Sequence, residues 1–122
     1  MVIKRFEEIK VWQDARVLTK HIYDISKVGL FSKDYGLRDQ IQRASVSVMS
    51  NIVEGYERDS NREFTKFLSY SKGSAGEVRS LLYVALDQEY LNQSNFNDLT
   101  DNCLNISKQI SGFQSYLRRT AK

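Results

Sequence analysis

Residues 96–117 read FNDLTDNCLNISKQISGFQSYL. Phe96, Leu99, Cys103, Ile106, Ile110, Phe113 and Leu117 recur in steps of three and four, which marks a helix with a single apolar stripe. Arg118, Arg119 and Lys122 follow, cations where a helix C-terminus favours positive charge. Upstream, Leu91 to Ser94 is a short polar turn with Ser94 as the expected N-cap. Before that turn, Ser60-Asn-Arg-Glu63 has the form of a capping box. It opens a helix to about Glu89 whose apolar arc is Phe64, Phe67, Leu68, Ser71, Ala75, Val78, Leu81, Leu82 and Ala85.

A preceding helix, from about Leu37 to Arg58, has two apolar faces. One carries Leu37, Ile41, Ala44, Val48 and Ile52; the other carries Val46, Met49, Val53 and Tyr56. The stripe between them is polar: Gln40, Arg43, Ser47, Asn51, Glu54 and Arg58. The first helix spans about Phe6 to Val28, with Val11, Ala15, Leu18, Ile22 and Ile25 as its stripe, and GLFSKDYG (29–36) breaks the period as a loop. Four helices of about 20 to 28 residues with short connections predict an all-α, antiparallel up-down four-helix bundle. Residues 1–122 form a single domain on this reading.

Composition agrees. The chain has no proline, which long helices exclude and turn-rich β folds use freely. Hydrophobic residues make up 41% and charged residues 27%, too apolar for a disordered chain. One cysteine excludes an internal disulfide and suits a reducing, cytoplasmic setting. Neither a membrane-length apolar run nor a signal-peptide pattern is present, so no membrane association is expected.

The catalytic inventory is thin. His21 is the only histidine and Cys103 the only cysteine, too few for a zinc or di-iron site. Cys103 falls in an apolar stripe, as a core residue does. No glycine-rich phosphate loop is present, and no cofactor or metal is expected. The chain is expected not to be an enzyme. Asn51 and Glu54 lie one turn apart, and Glu54 precedes Arg58 by four residues, the favourable order for a helical ion pair. With Glu77 they compose either a polar network that fixes register or assembly, or an acid/base site. Gly73 and Gly76 weaken a helix interior by about 1 kcal/mol each relative to Ala. Close approach of a partner helix or subunit would explain them, and Gly55 with the serines at 45, 47 and 50 makes the preceding helix small-sided too.

Eighteen Lys+Arg against fifteen Asp+Glu leave a net charge of +3, a mild bias. Arg38, Arg43, Arg58, Arg62, Lys66, Lys72 and Arg79 concentrate in the central hairpin, with Arg118, Arg119 and Lys122 at the tail. All are candidates to neutralise nucleic-acid phosphates, although Asp39, Glu54, Glu57, Asp59 and Glu63 dilute the field. Tyr56, Tyr70 and Tyr83 are stacking candidates, with buried packing expected for each.

Several elements are specific rather than generic: Leu37-Arg-Asp-Gln40, Gln42-Arg-Ala44, Ser47, Asn51-Ile-Val-Glu-Gly55, Phe64, Phe67-Leu68, Gly73-Ser74 and Glu77. Together with the opening Phe6-Glu-Glu-Ile-Lys-Val-Trp12-Gln-Asp-Ala15, they resemble the four-helix-bundle proteins encoded in intervening sequences of bacterial 23S rRNA genes, also called the S23 ribosomal protein family. The resemblance covers about residues 6 to 117. It implies a homo-oligomer, a pentameric ring of bundles, in a bacterial cytoplasm. Asn51, Glu54, Gly55, Gly73 and Glu77 match the signature and are assigned to structure and assembly. The family is also similar to accessory bundle proteins of diversity-generating retroelements, which bind nucleic acid and partner a reverse transcriptase. That similarity implies RNA or DNA binding by Arg38, Arg43, Arg58, Arg62, Lys66, Lys72, Arg118 and Arg119, or docking of a protein such as a polymerase. Five copies would carry about +15.

Overall fold

The chain is described by a computed structural model over residues 3–120. Its long helices are α1 (Lys10–Ser26), α2 (Tyr35–Tyr56), α3 (Asn61–Asp87) and α4 (Gln93–Arg119). Short 3-10 turns at Phe6–Glu8 and Phe31–Lys33 precede α1 and α2. Each helix packs on the next in chain order and α4 closes back on α1, giving the expected up-down bundle. The stripes read from sequence form its centre. Ala15, Leu18, Ile22, Ile41, Val48, Ile52, Leu68, Ala75, Val78, Leu82, Ala85, Ile106 and Ile110 are sealed from solvent in one core.

The boundaries differ from expectation in ways the caps explain. Phe6 and Val28 were expected to bound the first helix, but Ile9 is extended and buried, which separates the Phe6–Glu8 turn from α1. The second helix begins two residues before Leu37, because Asp34 accepts the Leu37 backbone N–H at 3.2 Å. Within the 29–36 loop, Phe31 is buried and stacks on Tyr90, so the loop contributes to the core. Ser60 caps α3 as predicted, accepting from the Glu63 N–H at 3.1 Å. At α4 the cap is Asn92, which accepts from Asn95 N–H at 2.8 Å, and not Ser94. Leu91 is buried just ahead of it, and the chain turns helical one residue after Asn92.

Polar ties set the register between helices. Ser71 donates to the Val48 carbonyl at 2.7 Å across α2 and α3, both groups inside the core. Gln109 donates to Asp14 at 2.6 Å across α4 and α1. Burial pushes the Asp14 carboxyl up, but the hydrogen bonds from Lys10 and Gln109 outweigh it and hold it below its ordinary value. Gln114, itself buried, donates to the Thr65 carbonyl at 3.0 Å and Ser69 Oγ at 2.8 Å. Asn61 donates to the carbonyls of Leu117 and Thr120, which brings the start of α3 against the end of α4.

Candidate nucleic-acid interface

The cations of the central hairpin do not form one patch. On α2 the exposed Arg43 and Arg58 lie on the side toward α3, whereas Lys72 and Arg79 on α3 turn toward α4. Arg62 sits at the start of α3, the end that Asn61 holds against Arg118 and Arg119. Lys122 lies outside the described residues.

Ion pairing divides the candidates further. Arg38 is tied down: its Nε meets Asp39 at 2.9 Å, it donates to the Ser32 carbonyl at 2.9 Å, and its guanidinium lies over the Tyr35 ring. Arg58 meets Glu54 at 3.5 Å and covers the Phe67 ring at 4.7 Å. Lys66 meets Glu63 at 3.3 Å and also lies over Phe67. These three therefore carry compensated charge. Arg43, Arg62, Lys72, Arg118 and Arg119 have no ion-pair partner among the described residues, and neither do Arg79 or Lys108.

Lys108 was not anticipated. It is an isolated cation in a polar stretch of α4, and only the register of α3 on α4 relates it to Lys72. Lys72 Nζ donates to Ser111 Oγ at 2.8 Å, and Lys108 stands one turn before that serine. Tyr70 and Tyr83 also correct the sequence reading: they are 52% and 55% exposed, not buried. Tyr56 is half-buried, its hydroxyl donating to the Ile3 carbonyl.

Of the signature residues, Gly55 lies in the α2–α3 contact and Glu77 bonds across it, whereas Glu54 pairs with Arg58 within α2 and Gly73 is exposed. Asn51 donates to Ser47 O and Oγ, and Ser74 on α3 donates to the same Ser47 hydroxyl at 2.9 Å. Gln40 donates to Glu77 at 3.4 Å. Within one chain Glu54 and Glu77 do not come together. Glu77 stands level with Gln40, so fourteen residues of α2, about 20 Å of helix, separate the two carboxylates. The close approach expected at Gly73 and Gly76 is not made within the chain: a Cβ at either would have nothing within 4 Å. It occurs at Gly55, where a Cβ would lie 2.8 Å from Phe67 Cβ.

An apolar groove of about 390 Å³ lies on the outer side of α2, formed by Phe6, Trp12, Val46, Met49 and Val53, with Glu54 and Glu57 at its rim. Among the described residues no His, Cys, Asp and Glu side chains gather as a metal site, and no helix is long and apolar enough to cross a membrane.

Fold and surface together define a small antiparallel four-helix bundle without strands in its described residues, with solvent-facing cations at the α3–α4 end and seam. The family model of 23S rRNA-intervening sequence proteins matches residues 7–112, and the chain belongs to that family. Its fold is similar to the crystal structure of a protein of unknown function from the S23 ribosomal protein family of Bacteroides thetaiotaomicron. That similarity has a TM-score of 0.77 at 20% identity and covers 85% of this chain and 97% of the other. No curated protein matches the sequence.

Proposed function

We propose that this protein is a non-enzymatic homo-oligomer, a pentameric ring in a bacterial cytoplasm, that binds RNA electrostatically. The observation that carries the proposal is the set of exposed cations left without carboxylate partners: Arg43, Arg62, Lys72, Arg118 and Arg119. An uncompensated cation can replace a condensed counterion on a phosphate, whereas one already paired with Asp or Glu adds little. Repetition around a symmetry axis strengthens a field that is weak in one copy with net charge +3. Exposed Val46 on α2, continuous with half-buried Met49 and Val53, offers apolar surface for assembly.

Light scattering with absorbance at 260 and 280 nm, followed by filter binding over a salt series, tests this reading. The expected outcome is a multimer whose RNA affinity falls steeply with salt. A monomer, a flat salt response, or no binding at low salt overturns it. The groove beside Trp12 favours a second reading, a scaffold that docks a partner protein. A partner that remains on the immobilised protein after nuclease treatment, with no RNA affinity of the purified ring, would replace the first reading with the second.

A further inference from the structure

Along the seam between α3 and α4, Lys72, Gly76, Arg79 and Tyr83 succeed one another at intervals of three and four, on one side of α3. That side faces α4. Lys72 bonds Ser111 at 2.8 Å and the Tyr83 ring meets Phe96 edge-on at 4.8 Å, with the exposed Arg79 between them on the same face of α3. From α4 the seam receives Lys108 and Leu104, the latter 47% exposed. Between Leu104 and Ser111 there is no acidic residue. Glu77, the one carboxylate of α3 between Lys72 and Tyr83, turns away to Gln40 on α2. Asp98 and Asp101 of α4 fall level with the stretch between Arg79 and Tyr83, and neither forms an ion pair with these cations.

Three uncompensated cations, a bare backbone at Gly76 and one exposed aromatic ring thus follow a single line. Lys72 and Arg79 are separated by about 10 Å of helix rise, so they can meet different phosphates of one strand. Tyr83 is more than half exposed although Phe96 supports its ring, which fixes its orientation without covering it. A duplex keeps its base faces stacked inside and offers such a ring nothing. A single strand offers a base face to it.

We propose that the α3–α4 seam binds single-stranded RNA, with Lys72, Arg79 and Lys108 on successive phosphates and Tyr83 stacked on a base. This rests on the RNA reading above and adds strand type and address to it. Tyr83 supplies the selectivity for unpaired bases, and the cations supply the salt-dependent affinity.

The test is fluorescence anisotropy of the intact protein with a labelled 12-nucleotide uridine RNA and with the same strand annealed to its complement, across a salt series. The single strand is expected to bind more tightly. Tyr83→Leu, which keeps apolar packing on Phe96, should lower single-strand affinity about tenfold and leave duplex affinity unchanged, with Tyr83→Phe restoring it. Combined Lys72→Gln, Arg79→Gln and Lys108→Gln should flatten the slope of log affinity against log salt by about 2. Equal binding of duplex and single strand, or a Tyr83→Leu variant that binds the single strand normally, overturns the seam while leaving RNA binding in place. Absence of binding to either RNA at low salt overturns both.

Discussion

Gly55 of α2 lies against Phe67 of α3 so closely that a Cβ on the glycine would sit 2.8 Å from Phe67 Cβ, 2.9 Å from Phe64 Cδ1 and 3.1 Å from the Phe64 carbonyl oxygen. Two of those three atoms are a backbone oxygen and a Cβ, which cannot rotate away. The contact sits where α2 ends and the chain turns into α3, so it fixes how the two helices diverge. Ser71 and Ser74 on α3, bonded to the Val48 carbonyl and the Ser47 hydroxyl on α2, continue the small-residue contact toward the other end.

Gly55→Ala is therefore expected to destabilise despite the better helix propensity of alanine. Overpacking costs of about 1–3 kcal/mol exceed a propensity gain of about 1 kcal/mol. Gly73→Ala and Gly76→Ala meet open space and should each stabilise the protomer by up to about 1 kcal/mol. Urea unfolding of the three variants at low protein concentration compares them directly; an equal response at Gly55 and Gly73 would refute the close contact.

The turn between α3 and α4 contains a residue in an unfavourable conformation. Glu89 has φ 62° and donates its N–H to Leu86, while Tyr90 donates to Ala85, the paired bonds of a Schellman motif. Glycine is the usual residue there because a Cβ in the left-handed region costs about 1–2 kcal/mol. Part of that gain is offset by the extra freedom of glycine in the unfolded chain. Glu89→Gly should still raise the thermal midpoint by about 2–4 °C, measurable by calorimetry. An unchanged or lower midpoint would contradict the strain.

The helical stripes were legible because burial repeats with helical period: Phe96, Leu99, Cys103, Ile106, Ile110 and Leu117 are all buried, as their spacing requires. Single-residue caps were less so. Asn92 and Ser94 are both good N-caps, and tertiary burial of Leu91 decided between them. The candidate interface was read poorly for a different reason. Each ion pair among the described residues joins side chains at most four positions apart, so Arg58–Glu54 and Lys66–Glu63 follow from spacing, but where a cation stands against a neighbouring helix does not. Arg38 is immobilised by the Ser32 carbonyl as well as by its neighbour Asp39. Lys108 acquires its relation to Lys72 through a helix it does not belong to.

Asp34 serves two partners. Its carboxylate caps α2 at the Leu37 N–H and accepts from the Tyr90 hydroxyl at 3.0 Å, joining the loop after α1 to the turn before α4. That hydrogen bond pushes the Tyr90 phenol above its ordinary value. Asp34→Ala should cost about 1–2 kcal/mol through the lost cap. Asp34→Asn should retain much of the cap yet remove the charge, so ultraviolet titration should show the Tyr90 phenol ionising at lower pH. A phenol titration identical to that of the unsubstituted protein would place its partner elsewhere.

Cys103 gives the molecule a stability that declines in alkali. Burial pushes its thiol from 9.0 up to about 12, against a smaller opposing effect from Arg79. Below about pH 9 the thiol is protonated in both folded and unfolded chains, so it contributes no pH dependence. As pH rises from 9 towards 12 the unfolded chain ionises while the folded one does not, which favours unfolding. The loss should reach about 1 kcal/mol near pH 10 and be absent from Cys103→Ala, whose lower baseline stability is a separate packing effect. Denaturant titrations at pH 8 and pH 10 on both proteins isolate the difference. Iodoacetamide supplies an independent reading, because the thiolate is its target. At pH 9 labelling should be slow in the folded protein and accelerate in step with unfolding as denaturant is added. Rapid labelling of the fully folded protein would mean that the α4 stripe opens at Cys103 far more readily than its 1% exposure implies.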